Sequence, residues 1–549
     1  MRTLLLALAI TAATAPLLAQ QPEDGIAIVP RPSKVVLGQG RFTFGPRTVI
    51  QAEGAAEPVA RMLVEYLAPA TGFRLAIRPP WTSAAPQGVV QLALDTALAS
   101  LGEEGYRLEA RPHVLRIAAS SPAGLFYGVQ SLRQLLPSQV FGATPAEHVT
   151  WSVPAVTVED WPRFRWRGMH LDVSRHFMPK DAVLRYIELM ALHKMNTFHW
   201  HLTDDQGWRL QIRKYPRLTE VGGWREQSVI GWPNRRDSTL NRFDATRHGG
   251  FYTQDDVREV VAFAAARHVT VVPEIEMPGH AQAAIAAYPE LGVTGQQIPV
   301  WQSWGVSRNI FNAEESTIAF LQDVLAEVLE LFPSQFIHIG GDEAAKDQWI
   351  ASARIQQLIR ERGLKDEHEL QSWFIKQMDA WLVARGRRLI GWDEILEGGL
   401  APNAAVMSWR GTEGGIAAAQ AGHDVVMTPS SHTYFDSYQT ERRQNEPGEP
   451  LAINGFVPLE RAYAFDPLSG IAPQHWKHVL GVQGQLWTEY IPDPRDLEYK
   501  AFPRASALSE VVWTAPTKRS FSDFQARWSE HAQRLEAMGV NYRKERVTP

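Results

Sequence analysis

Six consecutive residues, His338-Ile339-Gly340-Gly341-Asp342-Glu343, set two carboxylates side by side at the end of a short apolar run. The run, Phe336 to Ile339, has the make-up of a buried strand. In a regular strand neighbouring side chains leave opposite faces, so Asp342 and Glu343 could not serve one substrate. The two glycines let the backbone leave the pleat and let another group come close. At such a break both carboxylates can face one cleft. Paired carboxylates in a cleft suit acid/base work on a glycosidic bond. A bare GGDE also reads as an acidic helix cap, so the elements around it decide.

From residue 163 the chain repeats strand, loop, helix. The expected strands are Trp166–Asp172, Thr197–Thr203, Thr270–Ile275, Phe336–Ile339, Arg388–Trp392, Ala405–Trp409, Asp424–Thr428 and Leu480–Leu486. Between them, Val183, Ile187 and Met190 keep helical spacing, as do Ile318, Leu321, Leu325, Val328 and Phe332. Thr253 and Asp256 cap a third helix ahead of Val257, Val260 and Ala264. Eight strands alternating with helices predict an α/β fold, a (β/α)8 TIM barrel over 161–515, whose chemistry belongs where the strands end. Polar and aromatic residues gather there: Arg175, Asp204 and Asp205, Glu276 and His280, Asp342 and Glu343, Trp392 to Glu394, Trp409 and Arg410, Tyr434 and Asp436, Trp487 and Glu489. Ser430 to His475 has few periodic signals and is expected to be an extended loop after the seventh strand. Phe521 to Met538 reads as an amphipathic helix in a tail, 516–549, that covers the barrel.

Residues 21–160 form a smaller unit. Val49–Ile50, Val89–Leu94, Tyr106–Glu109 and Val114–Ala118 read as strands and Gly124–Leu136 as a helix on them, an α+β domain with an antiparallel sheet. It carries no recognisable chemistry. Residues 1–20 have the pattern of an export signal, with Arg2, an apolar Leu4 to Ile10 and small residues to Ala19, and cleavage is expected near Ala15 or Ala19. That stretch is too short to span a membrane. The expected location is the periplasm or the medium, for a monomer or a homodimer. A net charge of −5 over 549 residues gives no footing for nucleic-acid binding. The absence of cysteine excludes a disulfide framework. The 19 tryptophans offer flat faces for sugars as well as for cores.

The motifs resemble those of the family 20 glycoside hydrolases, the β-N-acetylhexosaminidases. They are LDVSRHF at 171–177, HLTDDQGWR at 201–209, PEIEMPGH at 273–280, HIGGDE at 338–343, GWDE at 391–394 and QLWTE at 485–489, in family order and across the whole barrel. The resemblance implies an oligosaccharide or glycoconjugate substrate, no cofactor or metal, and a reaction in which the sugar's own 2-acetamido oxygen is the nucleophile. It implies that Glu343 is the general acid and then base. Asp342 would hold and polarise the acetamido N–H, with Glu343 protonated and Asp342 ionised at the start. Trp373, Trp392 and Trp487 are the implied walls around the acetamido methyl, and Tyr434 the donor to its oxygen. Arg175, Asp436 and Glu489 suit sugar hydroxyls, Arg175 and Glu489 being also a possible ion pair. Asp204 and His280 support the acid/base. Two alternatives remain. His199 and His201, two apart on one strand face with Asp204 nearby, could ligate zinc in a metal-dependent hydrolase, although packed histidines fit better. A non-catalytic carbohydrate-binding barrel would be expected to have lost the Asp-Glu pair or Tyr434, and neither is lost.

Overall fold

The computed structural model describes residues 22–80, 88–441 and 449–544; the expected export signal lies outside them. The N-terminal domain has seven strands: β1 (Lys34–Thr43), β2 (Val49–Gln51), β3 (Ala76–Arg78), β4 (Val89–Leu94), β5 (Tyr106–Ala110), β6 (Val114–Ala119) and β7 (Ser152–Asp160). Their order is β1-β7-β5-β6-β4-β2-β3. The sheet is mixed, which corrects the antiparallel expectation. β1, β7, β5 and β6 pair antiparallel, whereas β6/β4, β4/β2 and β2/β3 are parallel. The cause is a crossover. α1 (Glu57–Thr71) connects β2 to β3, and a helical connection returns the chain in the same direction.

The second helix, α2 (Pro122–Leu135), is buried almost all round, between the sheet and the barrel. Its N-cap Ser121 accepts from the Ala123 and Gly124 N–H groups, and Pro122 occupies the first helical position.

The barrel closes from eight parallel strands in chain order: β8 (Trp166–Asp172), β9 (Thr197–His201), β10 (Thr270–Glu274), β11 (Phe336–His338), β12 (Arg388–Trp392), β13 (Ala405–Ser408), β14 (Val425–Met427) and β15 (Val479–Gly484). Nearly every strand residue is buried, because helices cover the outside while side chains fill the inside. The helical stripes read from the sequence are the buried faces. Val183, Ile187 and Met190 lie on α3 (Lys180–Leu192), and the capping box of Thr253 and Asp256 opens α4 (Gln254–Ala266). Ile318, Leu321, Leu325 and Val328 lie on α5 (Glu315–Leu331).

The segment after β14 has more structure than an extended loop. It contains a short helix at Leu459–Ala464 and a strand pair, Ser437–Tyr438 with Ile453–Phe456. The tail helix α9 (Phe521–Ala537; α6 to α8 are Glu367–Val383, Glu413–Gln420 and Arg504–Trp513) packs behind the barrel. Arg534 of that helix donates to the Gln134 carbonyl of the N-terminal domain at 2.7 Å, so α9 ties both domains together.

Candidate active site

At β11 the backbone turns sharply into left-handed conformations: Gly340 at φ +68°, Gly341 at +91° and then Glu343 at +46°. A Cβ on Gly340 would lie 1.6 Å from Glu276 Oε2, so no other residue fits there. Glu343 is not a glycine, and holding it at that φ costs on the order of 1–3 kcal/mol, strain of the kind that collects at functional sites. The result is that both carboxylates face His280, whose Nε2 lies 3.6 Å from Asp342 Oδ2 and 3.6 Å from Glu343 Oε2.

His280 heads a chain of charges that descends into the barrel. Its Nδ1 meets Asp204 Oδ1 at 3.1 Å, and Asp204 Oδ2 meets Arg175 Nη2 at 2.8 Å and His201 Nε2 at 2.9 Å. His201 Nδ1 in turn meets Glu274 Oε2 at 2.5 Å. With a carboxylate on each ring nitrogen, His201 is an imidazolium. Burial opposes its charge, but Glu274 and Asp204 outweigh burial and lift its pKa to about 10. Burial likewise opposes ionisation of Asp204, and Arg175 and His280 overcome it, holding the carboxyl well below its usual range. His280 is protonated for the same reason, through Asp204 and Asp342 against burial.

The open cavity above these groups has a volume of about 140 Å³. Its lining includes the charged groups Asp342, Glu343, His280 and Arg175 and the aromatic residues Trp392, Trp409, Trp487 and Tyr434. The indole planes of Trp392 and Trp487 are 5.8 Å apart between centroids, and Tyr434 stacks on Trp409 at 6.1 Å. Burial keeps the Tyr434 phenol protonated and therefore a donor. Arg175 lies 5.0 Å over the Trp487 ring. A flat aromatic floor, a hydroxyl donor and a wall of charged groups form a pocket for one small polar ring with an apolar appendage.

Models of the glycosyl hydrolase family 20 catalytic domain and of that family's domain 2 match residues 164–516 and 25–161. The chain belongs to glycosyl hydrolase family 20. Among curated relatives, a beta-hexosaminidase of Porphyromonas gingivalis is 44% identical, with 95% of this chain and 64% of the relative covered. A beta-N-acetylhexosaminidase of Cellulomonas fimi is 33% identical, with 94% and 96% covered. The chain spans just under two thirds of the Porphyromonas relative and of a similar Vibrio furnissii one, at 64% and 65%. The solved structure of a family 20 beta-N-acetylhexosaminidase from Streptomyces coelicolor superposes with a TM-score of 0.82 at 32% identity, covering 96% of this chain and all of that one. A Streptomyces plicatus beta-hexosaminidase solved with product N-acetylglucosamine matches with a TM-score of 0.81 at 32% identity, covering 97% and 99%.

In this family 20 chain the cavity lining includes every residue to which the sequence gave a catalytic or sugar-binding role except Trp373 and Asp436. Trp373 is not in the pocket. It sits on α6, outside the barrel, half-buried under the Arg362 guanidinium at 3.6 Å from its ring. The first turns of α6 adjoin the site, Gln371 donating to the Gly341 carbonyl at 2.7 Å, but Trp373 packs against Arg362 and a separate apolar cluster instead of the cavity. Trp409 takes the place expected of Trp373. It ends β13, and its Nε1 donates to Glu394 Oε2 at 2.9 Å. The sequence placed it among the strand-end residues without giving it a role. Glu276, read in the same way, is a strand-end carboxyl buried in the pocket wall with neither oxygen hydrogen-bonded. Burial and the neighbouring Asp342 push its pKa well up. Asp436 is the other exception, lying behind the cavity wall, where burial and Glu489 raise its carboxyl to about 8.

Two further corrections concern charge. Arg175 pairs with Asp204 and, at 3.4 Å, with Asp172, rather than with Glu489. The pKa shifts of the catalytic pair run opposite to the expected order. Burial raises Asp342, while His280 holds Glu343 low against its own burial. The proton of the cluster resides on His280. In the barrel interior His199 Nε2 lies 3.0 Å from Glu274 Oε2, and His338 Nδ1 lies 2.8 Å from Oε1, which also accepts from Trp392 Nε1 at 2.8 Å. His199, Glu274 and His338 lie close enough together to hold a cation, and all three are buried in the packed interior of the barrel.

Proposed function

We propose that this chain is an exo-acting β-N-acetylhexosaminidase that removes terminal β-linked N-acetylglucosamine or N-acetylgalactosamine with retention of configuration. The observation that carries this reading is that Asp342 and Glu343 flank one imidazole nitrogen at equal distance, facing a one-sugar cavity walled by indoles. Two carboxylates on the same side of the cavity cannot bracket the anomeric carbon, so the nucleophile must come with the substrate.

The acetamido methyl fits among Trp392, Trp409 and Trp487. Tyr434 donates to the amide oxygen and holds it at the anomeric carbon, and this proximity replaces a bimolecular encounter. The amide N–H donates to Asp342, which favours the ionised carboxylate, and the sugar displaces water from around Glu343. Both changes draw the cluster's proton from His280 onto Glu343. The amide oxygen then bonds to the anomeric carbon as the glycosidic C–O bond breaks, and the leaving oxygen takes the Glu343 proton. Asp342 stabilises the cationic oxazolinium ring. Water, deprotonated by Glu343, attacks the same carbon and reopens the ring, giving two inversions and net retention.

Arg175, Glu489 and Asp436 are assigned to ring hydroxyls, and Asp204 to fixing His280. The pattern at residues 1–20 supports export, and chitin fragments are among the glycans with the required terminal sugar. The test compares aryl β-N-acetylglucosaminides with the corresponding β-glucosides. Only the acetamido sugar is expected to turn over well, and efficient cleavage of the glucoside would refute the assisted mechanism.

A further inference from the structure

A second depression opens from the sugar pocket through Arg175, Glu343 and Glu489, and at about 870 Å³ it is several times the pocket's volume. The exposed edge of Glu343 faces it, so it lies where the leaving group departs. Its walls come from the loop after β9 and the loop after β10, and they are joined. Val229 N–H donates to the Gln302 carbonyl at 2.9 Å, and the side chains of Gln227 and Gln302 bond at 2.9 Å. Trp232 Nε1 donates to the Ala452 carbonyl at 3.0 Å, which brings in the segment after β14. Trp301, Trp304 and Tyr490 supply aromatic surface of the sort on which sugar rings stack.

The charge of this groove is one-sided. Apart from the three charged residues shared with the sugar pocket, its charged lining among the described residues consists of Arg235 and Arg308, both exposed. Arg235 forms no ion pair among the described residues, and it bears on the phenol of Tyr490 across the groove. Arg308 has one loose partner, Asp347 at 3.5 Å, with both side chains mostly in solvent. The acids on the first wall are engaged elsewhere. Asp237 accepts from Thr239 N–H within its own turn, Asp244 accepts from the Ser228 and Thr246 N–H groups, and Glu226 faces Arg247 at 3.5 Å. A neutral glycan would need neither arginine. An anion on the leaving sugars would find these two cations, and the only carboxylates lining the groove are Glu343 and Glu489 at its junction with the sugar pocket.

We propose that this groove binds the leaving-group portion of the substrate and selects glycans that carry a carboxylate or sulfate there. The proposal rests on the glycosidase reading and names its substrate class. The experiment uses three matched trisaccharides, each capped by β-linked N-acetylglucosamine, with a leaving disaccharide that is neutral, carboxylated or sulfated. At low salt kcat/KM should favour an anionic substrate over the neutral one by about three- to tenfold, as expected for one or two exposed ion pairs. The advantage should shrink at about 0.5 M salt, where screening lengths fall below 5 Å. Preference for one anion over the other identifies its source and upholds the proposal. In the double variant Arg235→Gln/Arg308→Gln the ratio should fall to near one, and in Arg235→Glu/Arg308→Glu it should invert, with the unfolding midpoint confirming that each folds. Equal rates for all three substrates in the unaltered protein, or a preference that survives both double variants, would overturn it. Failure to cleave even the neutral trisaccharide would count against the glycosidase reading instead.

Discussion

Behind the barrel, Glu510 is fully buried and fully engaged. Arg527 donates to it through Nη1 and Nη2 at 2.7 and 2.8 Å, the Arg31 N–H at 2.9 Å, and the Tyr463 hydroxyl at 2.8 Å. At the strand ends Glu276 and Asp436 are just as buried, yet all four of their carboxyl oxygens lack a partner. Both regions take carboxyl groups out of water, which is costly unless hydrogen bonds compensate. The first completes its bonds within the chain and so fixes the tail helix on α8 and the N-terminal segment. The second leaves them open, and a sugar's hydroxyl and amide groups are what would close them. Glu276 and Asp436 are the buried carboxyls with both oxygens open among the described residues, whereas scaffold groups with an unpaired atom, such as Glu449 and Arg534, keep another bond.

The largest effect expected from this contrast is at Glu343. Glu343→Gln keeps the shape but removes the transferable proton, and a positioned acid/base contributes roughly 10²–10⁴-fold. The loss should be greatest for oligosaccharides, whose leaving oxygen needs protonation, and smaller for nitrophenyl glycosides, with no drop in the unfolding midpoint. A variant that cleaves oligosaccharides at the normal rate would remove Glu343 from the mechanism.

On the scaffold side, Glu510→Ala leaves Arg527 with Asp523 as its one buried carboxylate and unpairs the Tyr463 hydroxyl, and it should cost about 3 kcal/mol of stability. Denaturant titration measures that loss, while kcat/KM of the folded enzyme should change little. If instead activity fell with stability intact, the division between finished and unfinished pairing would fail.

Asp436 should behave in the opposite way. Its pKa is raised to about 8 in the folded chain, by burial first and then by Glu489. A carboxyl whose folded pKa exceeds its unfolded value binds more protons when folded, so its contribution to stability falls as pH rises from about 4 toward 8. Asp436→Asn removes that penalty. Its unfolding midpoint at pH 7 should match or exceed that of the parent and vary less with pH over this interval. The same change should reduce kcat/KM by roughly 2–13-fold, the equivalent of one hydrogen bond made by a neutral carboxyl. A stability loss on Asp436→Asn would mean that the carboxylate is part of the scaffold after all.

How far the sequence led follows the same division. The barrel was legible because buried parallel strands and one-faced helices have different periods, and all eight strands fall within two residues of their expected bounds. Asp342 and Glu343 were legible because two glycines before two acids mark a backbone departure, and Gly340, Gly341 and Glu343 do turn left-handed. The mixed sheet was not legible. Its direction depends on α1 crossing between β2 and β3, and neither that helix nor β3, only three residues long, was read. The protonation of the catalytic pair was also hidden, because His280 enters from a different strand end and its charge is set by Asp204 from a third.

Trp373 and Trp409 give the smallest but sharpest test of where the site ends. Both are aromatic, and both are half-exposed in the unliganded chain. Only Trp409 is held by a carboxylate, Glu394, whose own pKa rises to about 8 through burial and the nearby Asp342. The pocket is thus coupled through Glu394 to the catalytic pair, whereas Trp373 packs against Arg362 and the apolar residues under the helix layer. Trp409→Ala opens the wall that receives the acetamido methyl, and misfit of one such group in an apolar pocket is worth about 10–200-fold in kcat/KM. Trp373→Ala should leave kcat/KM within about twofold and lower stability by roughly 1–3 kcal/mol, the value of a partly buried aromatic. Steady-state kinetics and thermal unfolding on the two variants separate the cases, and a catalytic loss for Trp373→Ala that equals that of Trp409→Ala would place the pocket wall on the wrong element.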